Sequence, residues 1–146
     1  MSQYKKILVA IDLSEDSTAV VQRGQAIAAN NQAELHLIHV IEPLSFAYGG
    51  DIPMDFSGIQ DEIHQQATQQ LLRFAESNDI DAEHQHLVLG KPEVEIHATA
   101  KELETDLIVV GSHGRYGLAL LMGSTANGVL HGATCDVLAV RVGKHD

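Results

Sequence analysis

Short apolar runs along the chain alternate with stretches in which apolar residues recur every three or four positions. Four runs rich in β-branched and aliphatic residues are typical of buried parallel strands, and one that alternates more weakly is typical of an edge strand. In chain order the five predicted strands cover residues 5–11, 35–41, 84–89, 107–110 and 137–142, and the third is the weakly alternating one.

The stretches between the strands carry helical spacing. The first predicted helix follows Ser14, a candidate N-cap with acidic residues behind it, and should end near Asn31. A later helix should begin at Pro92, because proline is favoured at the first helical position, and the last should carry the apolar residues of 126–133. Strict alternation of strands and helices predicts an α/β fold, a parallel sheet with helices on both faces. The length predicts one domain over residues 1–146.

A glycine-spaced segment joins the fourth predicted strand to the last helix. Glycine lets the backbone approach a ligand closely, and the free N–H groups and dipole at a helix start favour an anion. The segment therefore predicts a phosphate-binding loop, with turn geometry and capping by Ser124 as the alternative. It is neither the dinucleotide fingerprint nor the lysine-containing phosphate loop. Its residues are Gly111, Gly114, Gly117 and Gly123, followed by Ser124 and Thr125.

The predicted site lies where the strand order of such a sheet reverses, beyond the carboxyl ends of the strands. If strands one to three extend to one side and strands four and five to the other, Asp12 lies opposite Gly111. Asp12 is then a candidate metal ligand, or the cap of a turn. His113 is a candidate phosphate donor and Arg115 a candidate screen for phosphate charge, with exposure to solvent as the alternative for both.

Composition narrows the classes of partner. A formal net charge of -11 argues against nucleic acid and anionic membranes, so a bound nucleotide would depend on local backbone dipoles or a metal ion. No apolar run is long enough to span a bilayer, and we expect a cytoplasmic protein. The single cysteine, Cys135, precedes a buried strand and is expected to be a packed residue rather than a reactive thiol.

Nine histidines raise the question of a metal site. His84 and His86 should share a face of the third strand, whereas His36 and His39 should not share a face of the second. Because the chain offers neither cysteine partners nor a helical pair of histidines four apart, we expect no structural zinc site. No side chain stands out as a catalyst, so we expect no enzyme beyond slow, incidental ATP hydrolysis.

Several motifs occur in the order found in universal stress proteins of the family A type, and the resemblance covers nearly the whole chain. They are Tyr4-Lys-Lys-Ile-Leu-Val-Ala-Ile-Asp12, Leu37-Ile-His-Val40, Val109-Val-Gly-Ser-His-Gly-Arg115, Gly123-Ser124 and Cys135-Asp-Val-Leu-Ala-Val140. On these residues the chain is identified as a member of that family.

The resemblance implies a Rossmann-like fold of the adenine nucleotide alpha hydrolase type, with five strands in the order 3-2-1-4-5. It also implies a homodimer through the last strand, from Val137 to Val142. Members that bind ATP carry Gly-x2-Gly-x9-Gly-[Ser/Thr]. By position, Asp12 and the backbone of Val40 would meet the adenine and ribose, and Gly111 and Gly114 the ribose and first phosphates. Gly123, Ser124 and Thr125 would bind the outer phosphates, together with Mg²⁺ or Mn²⁺.

This chain departs from that pattern by one residue, since eight residues rather than nine separate Gly114 from Gly123. We expect the loop to be shorter near 116–122 with the phosphate cradle in place; the alternative is that Ser124 is tilted away from the phosphates. Two functions follow. One is a stress-response dimer that binds ATP, ADP or AMP, and the other is a dimeric interaction module of the same fold that binds no nucleotide.

Overall fold

Five parallel strands form one sheet in the computed structural model, which describes residues 3–43, 57–113 and 124–142. The strands are β1 (Lys6–Ala10), β2 (Glu34–Ile41), β3 (Gln85–Leu89), β4 (Leu107–His113) and β5 (Asp136–Val142). The helices are α1 (Ser17–Asn31), α2 (Ser57–Ser77), α3 (Pro92–Leu103) and α4 (Ser124–Gly132), and a 3₁₀ turn covers Ala82–His84. The sheet order is β3-β2-β1-β4-β5.

This architecture confirms the predicted α/β class, the strand order and the edge position of β3. The parallel register is continuous between neighbouring strands, with Ile7 beside Leu35 on one side and beside Leu107 on the other. Proline does start α3, at Pro92, and α1 ends at Asn31, both as expected. None of the helices within the described residues is long and apolar enough to cross a membrane.

Successive side chains of the central strand enter two separate apolar layers. Ile7 and Val9 of β1 pack against residues of α1 and α2, whereas Leu8 and Ala10 pack against α3 and α4. A strand buried on both faces has to be apolar at every position, which is why β1 is a continuous run rather than an alternating one. The helices close both layers with buried residues: Val20, Val21, Leu71 and Ala75 in the first, and Ile96, Ala100 and Val129 in the second.

Helix α1 approaches the sheet closely at Gly24. A Cβ atom there would lie 2.7 Å from Cγ2 of Val9, a distance that real contacts do not reach. Glycine at this position therefore sets how near α1 lies to β1, and its low helix propensity is offset by closer packing.

Several sequence-based boundaries are wrong by one to three residues, and β4, predicted to end at Val110, continues to His113. Helix α1 begins at Ser17 rather than just after Ser14, because the side chain of Ser14 bonds to Asp12 and its carbonyl accepts the N–H of Ser17 at 3.0 Å. Such local bonds compete with helix formation. The third strand begins at Gln85, and His84 ends the 3₁₀ turn before it. The sequence also predicts a long loop over 43–57 with scattered aromatic residues, of a length typical of a lid or an interface, and this loop falls largely outside the described residues.

Candidate functional site

The carboxyl ends of β1 and β4 lie side by side where the strand order reverses. From β1 the chain adds β2 and β3 on one side of the sheet, and β4 and β5 on the other. The β1–β4 register pairs Val9 with Val109, so its continuation brings Ile11 level with Gly111, and Asp12 follows directly. Asp12 and Gly111, a hundred residues apart in the sequence, thus lie at the same side of the sheet, the one formed by the carboxyl ends of the strands. In open α/β sheets this side is where ligands bind.

Asp12 organises the turn from β1 into α1. Its Oδ1 accepts hydrogen bonds from the N–H of Ser14 at 2.9 Å, from Oγ of Ser14 at 2.6 Å and from Oγ of Ser17 at 3.1 Å. Leu13 between them has φ of 63°, a left-handed conformation that costs energy for a residue with a side chain. The exposed carboxylate of Asp12 holds this turn together, which is the turn-capping role that the sequence left open.

His39, for which the sequence raises only the question of metal binding, ties the carboxyl ends of β1 and β2 together. Nδ1 of His39 lies 2.8 Å from the carbonyl oxygen of Ile11. Because a carbonyl only accepts, Nδ1 carries the proton and donates it. The N–H of Ile11 in turn donates to the carbonyl of Ile38 at 2.9 Å. Val40, the predicted adenine-side residue, follows His39 on β2 and packs, half-buried, against the second apolar layer.

Gly111 has a packing reason to be glycine. A Cβ atom at this position would lie 3.2 Å from Cγ2 of Val20 and 3.6 Å from Cγ2 of Val142. The missing side chain therefore lets α1 and β5 close over β4. Contact of the Gly111 backbone with a ligand stays a prediction, and the glycine by itself does not require one.

The structure covers the rest of the predicted loop only in part. Gly114, Arg115 and Gly123 lie outside the described residues. His113 is described as the last residue of β4, and Ser124 and Thr125 as the first residues of α4, by their backbone alone. The predicted strand and helix are both present, but the strand runs three residues past its predicted end at Val110, so Gly111 and His113 belong to β4, where they pair with β5, rather than to the loop. Helix α4 begins at Ser124, two residues before the predicted start. The ligand roles of these residues stay predictions.

Cys135 lies half-buried beside the second apolar layer, immediately before β5. Burial raises the pKa of its thiol, and the nearby carboxylates of Asp136 and Asp106 raise it further. A raised pKa keeps the thiol protonated and poorly nucleophilic at neutral pH. These properties are those of the packed, unreactive residue that the sequence predicts.

A second group of polar side chains lies at the opposite, amino end of β2. The imidazole of His36 is buried, at 5% exposure, and its Nε2 lies 2.8 Å from Oε2 of Glu34. Its Nδ1 lies 3.0 Å from Nε2 of His86. The ring of His84 stacks on that of His36 with 4.2 Å between the ring centroids, and Nε2 of His84 lies 3.9 Å from Oε1 of Glu34.

These contacts and the burial of the group shift the pKa values of Glu34 and His86. The hydrogen bond from His36 holds the pKa of Glu34 below its usual range, and burial lowers the pKa of His86. Spacing within a single strand does not reveal that His36 lies beside His84 and His86. The missing signal was the β2–β3 register, which pairs Ile38 with His86 and brings residues fifty positions apart onto one face.

Residues 3–141 match the Universal stress protein family. The chain is 43% identical over 146 residues to the universal stress protein A homolog 2 of Coxiella burnetii, with 97% of this chain and 98% of that protein covered.

Among solved structures, a universal stress protein from Pseudomonas aeruginosa UCBPP-PA14 has a TM-score of 0.73 and 26% identity. The match covers 94% of this chain but 47% of the Pseudomonas chain, so this chain spans about half of that one. A universal stress protein solved in complex with cAMP has a TM-score of 0.60 and 24% identity, over 96% of this chain and 98% of its own. The family match and the Coxiella relative cover almost every residue of the chain, and it belongs to the universal stress protein family.

Proposed function

We propose that this chain is a regulatory stress-response protein that binds an adenine nucleotide between the carboxyl ends of β1 and β4. The observation that carries the proposal is the sheet order, which reverses between these two strands and brings Asp12 and Gly111 to one edge. A universal stress protein of the same fold has been solved with cAMP, an adenine nucleotide. ATP, ADP or AMP is the proposed ligand, with Mg²⁺ or Mn²⁺ for the phosphates.

The proposed grip on the phosphates is electrostatic and local. The chain carries a net charge of -11, which repels a triphosphate at long range. The first N–H groups of α4, which begins at Ser124, have no partners within the helix and present partial positive charge to an anion. We therefore assign the outer phosphates to Gly123, Ser124 and Thr125, and the inner ones to Gly111 and Gly114, with His113 and Arg115 nearby.

We assign the adenosine part of the nucleotide to the carboxyl ends of β1 and β2. Asp12 is held in a fixed turn by its bonds to Ser14 and Ser17, and His39 fixes the neighbouring end of β2 next to Val40. A site pre-organised in this way loses little conformational entropy when a ligand binds. Because no group is proposed to activate a water molecule, we assign the bound nucleotide a signalling role rather than a catalytic one, in the cytoplasm.

The direct test is to denature the purified protein and analyse the supernatant for adenine nucleotide by absorbance at 260 nm and by chromatography. Added Mg-ATP should also raise the melting temperature of protein freed of nucleotide, because a ligand that binds only the folded state stabilises it. Gly114→Leu should abolish this shift by blocking the backbone from the phosphates.

Gly58→Leu is the matched control, since a Cβ atom at position 58 on α2 meets nothing within 4 Å. It should leave the Mg-ATP shift unchanged. A folded wild-type protein that neither releases nucleotide nor responds to Mg-ATP would exclude the proposal, and a shift that survives Gly114→Leu would show that the site is elsewhere.

A second candidate is a dimeric interaction module that binds no nucleotide. The observation in its favour is at Gly111, whose lack of a side chain is accounted for by Val20 and Val142 without any ligand. The absence of both nucleotide release and a Mg-ATP shift, together with a stable dimer, would favour this reading.

For either function we propose a homodimer through β5, from Val137 to Val142. This strand has one neighbour, β4, within the described sheet, so its other edge offers backbone groups to a partner strand. Pairing with its own copy about a two-fold axis would satisfy both edges at once.

A further inference from the structure

The side chains at the amino end of β2 form a set of metal-binding groups apart from the proposed nucleotide site. One carboxylate oxygen of Glu34 and one ring nitrogen each of His36 and His84 all lie within 4.8 Å of one another. The proposed nucleotide site lies at the other end of the same strand. Val40 lies four positions after His36 on β2, which is about 13 Å of extended chain.

The backbone, rather than flexible loops, sets the positions of these groups. Glu34 and His36 are two apart on β2 and therefore point to the same face of the sheet. His84 ends the turn that leads into β3, which is paired in register with β2, and its ring stacks on that of His36. Ligands held on paired strands stay close to their binding geometry before the ion arrives.

We infer that Glu34, His36 and His84 bind one divalent transition-metal ion, with Zn²⁺ as the best match and water as the fourth ligand. Two imidazoles and one carboxylate with an open position form a known type of tetrahedral zinc site. Imidazole nitrogens also disfavour Mg²⁺ and Ca²⁺, which prefer oxygen ligands. The inference is independent of nucleotide binding, and it departs from the expectation of no zinc site, which considered residues strand by strand.

The ligand atoms lie close together, and movements of Glu34 and His84 bring them to zinc-binding distances. Two ligand atoms about 2.05 Å from a tetrahedral ion are about 3.3 Å apart. The Nε2–Oε2 distance from His36 to Glu34 is 2.8 Å, and the Nε2–Oε1 distance from His84 to Glu34 is 3.9 Å. These two distances involve different oxygens of Glu34, so the carboxylate has to turn one oxygen towards both rings, and the ring of His84 has to tilt off that of His36 to aim Nε2 at the same ion. Both side chains are able to move, since that of Glu34 is 44% exposed and that of His84 is 28% exposed, and the ion has a path from solvent.

His86 completes the arrangement as a positioning residue. A histidine that binds a metal through one nitrogen usually donates the N–H of the other to a nearby acceptor, which fixes the ring. Nε2 of His86 lies 3.0 Å from Nδ1 of His36, on the side away from Glu34. When the ion is on Nε2 of His36, the ring proton of His36 is on Nδ1 and is donated to Nε2 of His86. His86, as a neutral imidazole, then carries its own proton on Nδ1.

Lys6 competes with the ion. Its Nζ lies 3.6 Å from Oε2 of Glu34, so the ammonium group partly neutralises the carboxylate that the metal needs. The side chains of Lys6 and Glu34 are 32% and 44% exposed, and pairs this exposed contribute little stability. The ion should therefore displace Lys6 at small cost, and removing the lysine charge should tighten binding.

The test is a titration of metal-free full-length protein with Co²⁺, whose visible absorption reports four-coordinate binding, followed by displacement with Zn²⁺. One equivalent should bind. Glu34→Gln and His84→Gln, at partly exposed positions, should each weaken binding by at least about 10-fold, the smallest loss typical of even an outer partner. His64→Gln, at an exposed histidine of α2, is the control and should bind as the wild type does.

Two further variants separate this site from general affinity of histidines for metal. Lys6→Gln should tighten binding several-fold, and His86→Gln should weaken it about 10-fold while the four-coordinate spectrum is retained. Wild-type protein that binds no Co²⁺ at one equivalent would overturn the inference. Binding that survives both Glu34→Gln and His84→Gln, or that is lost equally in His64→Gln, would overturn it as well.

Discussion

His39 and Ile11 are joined at the carboxyl ends of β2 and β1 by a hydrogen bond of 2.8 Å, which the Nδ1–H of His39 donates to the main-chain carbonyl of Ile11. Ile11 is 7% exposed, so its carbonyl has little access to water. The bond therefore satisfies a backbone acceptor that lies just past the end of β1, and it fixes the chain where it turns towards Asp12.

Replacing His39 should loosen this turn. His39→Leu keeps the apolar bulk but leaves the Ile11 carbonyl without its donor, which should lower the free energy of unfolding by about 1–3 kcal/mol. Urea denaturation measures this loss. His64→Leu on the exposed face of α2 should change stability by less than about 0.5 kcal/mol. Equal stabilities for the two variants would mean that the bond contributes nothing.

Gly24 and Gly58 should respond in opposite directions to alanine. In a helix alanine is favoured over glycine by about 1 kcal/mol. Gly58→Ala meets open space and should be neutral or stabilising by up to that amount. Gly24→Ala forces a methyl group against Val9 and should destabilise the protein by up to about 2 kcal/mol net, since overpacking costs about 1–3 kcal/mol and the gain in helix propensity offsets about 1 kcal/mol of it. Thermal melts of the two variants on either side of the wild type would bear this out, and melts shifted in the same direction would refute it.

The end of α3 offers a stabilising substitution. Glu104 caps this helix with φ of 58°, in the left-handed region, and is exposed. Its acidic side chain also lies at the negative end of the helix dipole. Glu104→Gly should therefore raise the free energy of unfolding by about 0.5–1 kcal/mol. Ala98→Gly, within the same helix, should lower it by about 1 kcal/mol, and a Glu104→Gly melt below that of the wild type would contradict the argument.

Stability at alkaline pH should depend on Tyr4. Its hydroxyl donates to Oδ2 of Asp136 at 2.8 Å, which raises the pKa of Tyr4 in the folded protein. Because folding raises this pKa, the hydrogen bond contributes its full stabilisation below about pH 10, the approximate pKa of tyrosine in the unfolded chain. That stabilisation is lost as the pH rises through the pKa of Tyr4 in the folded protein. Urea midpoints of wild type and Tyr4→Phe should therefore converge above pH 10, and a gap that widens there would show the reverse linkage.

The proposed dimer should weaken at low ionic strength. Each chain carries a net charge of -11, and repulsion between two copies is screened within about 10 Å at 0.1 M salt but only within about 30 Å at 0.01 M. Sedimentation should show a dissociation constant higher by about 10-fold at the lower salt. Val137→Lys should dissociate the dimer, and Thr134→Lys, which adds the same charge before β5, should not. A monomer under all conditions would exclude the dimer.

The fold was predictable because each element carries its own signal. The apolar run from Ile7 to Ile11 predicts a strand buried on both faces, and the alternation of elements predicts the parallel sheet. The start of α1 was not predictable from capping rules, because Asp12 draws the side chain of Ser14 into a turn that only the folded chain forms.

The candidate sites differ in the same way. The position of Asp12 opposite Gly111 follows from strand order alone, whereas the packing of Gly111 against Val20 depends on how closely α1 lies on β4. The grouping of His36 with His86 depends on the register of two strands whose paired residues are 48 positions apart, and nothing local in the sequence encodes that register.

The two edge strands of the sheet differ in length and burial: β3 forms one edge and β5 the other. If two chains join through β5, they form one ten-stranded sheet that ends in β3 on both sides. Further growth would have to use β3, a strand of five residues whose side chains are only partly buried. Assembly of this protein is therefore expected to stop at a finite pair rather than continue into a fibre.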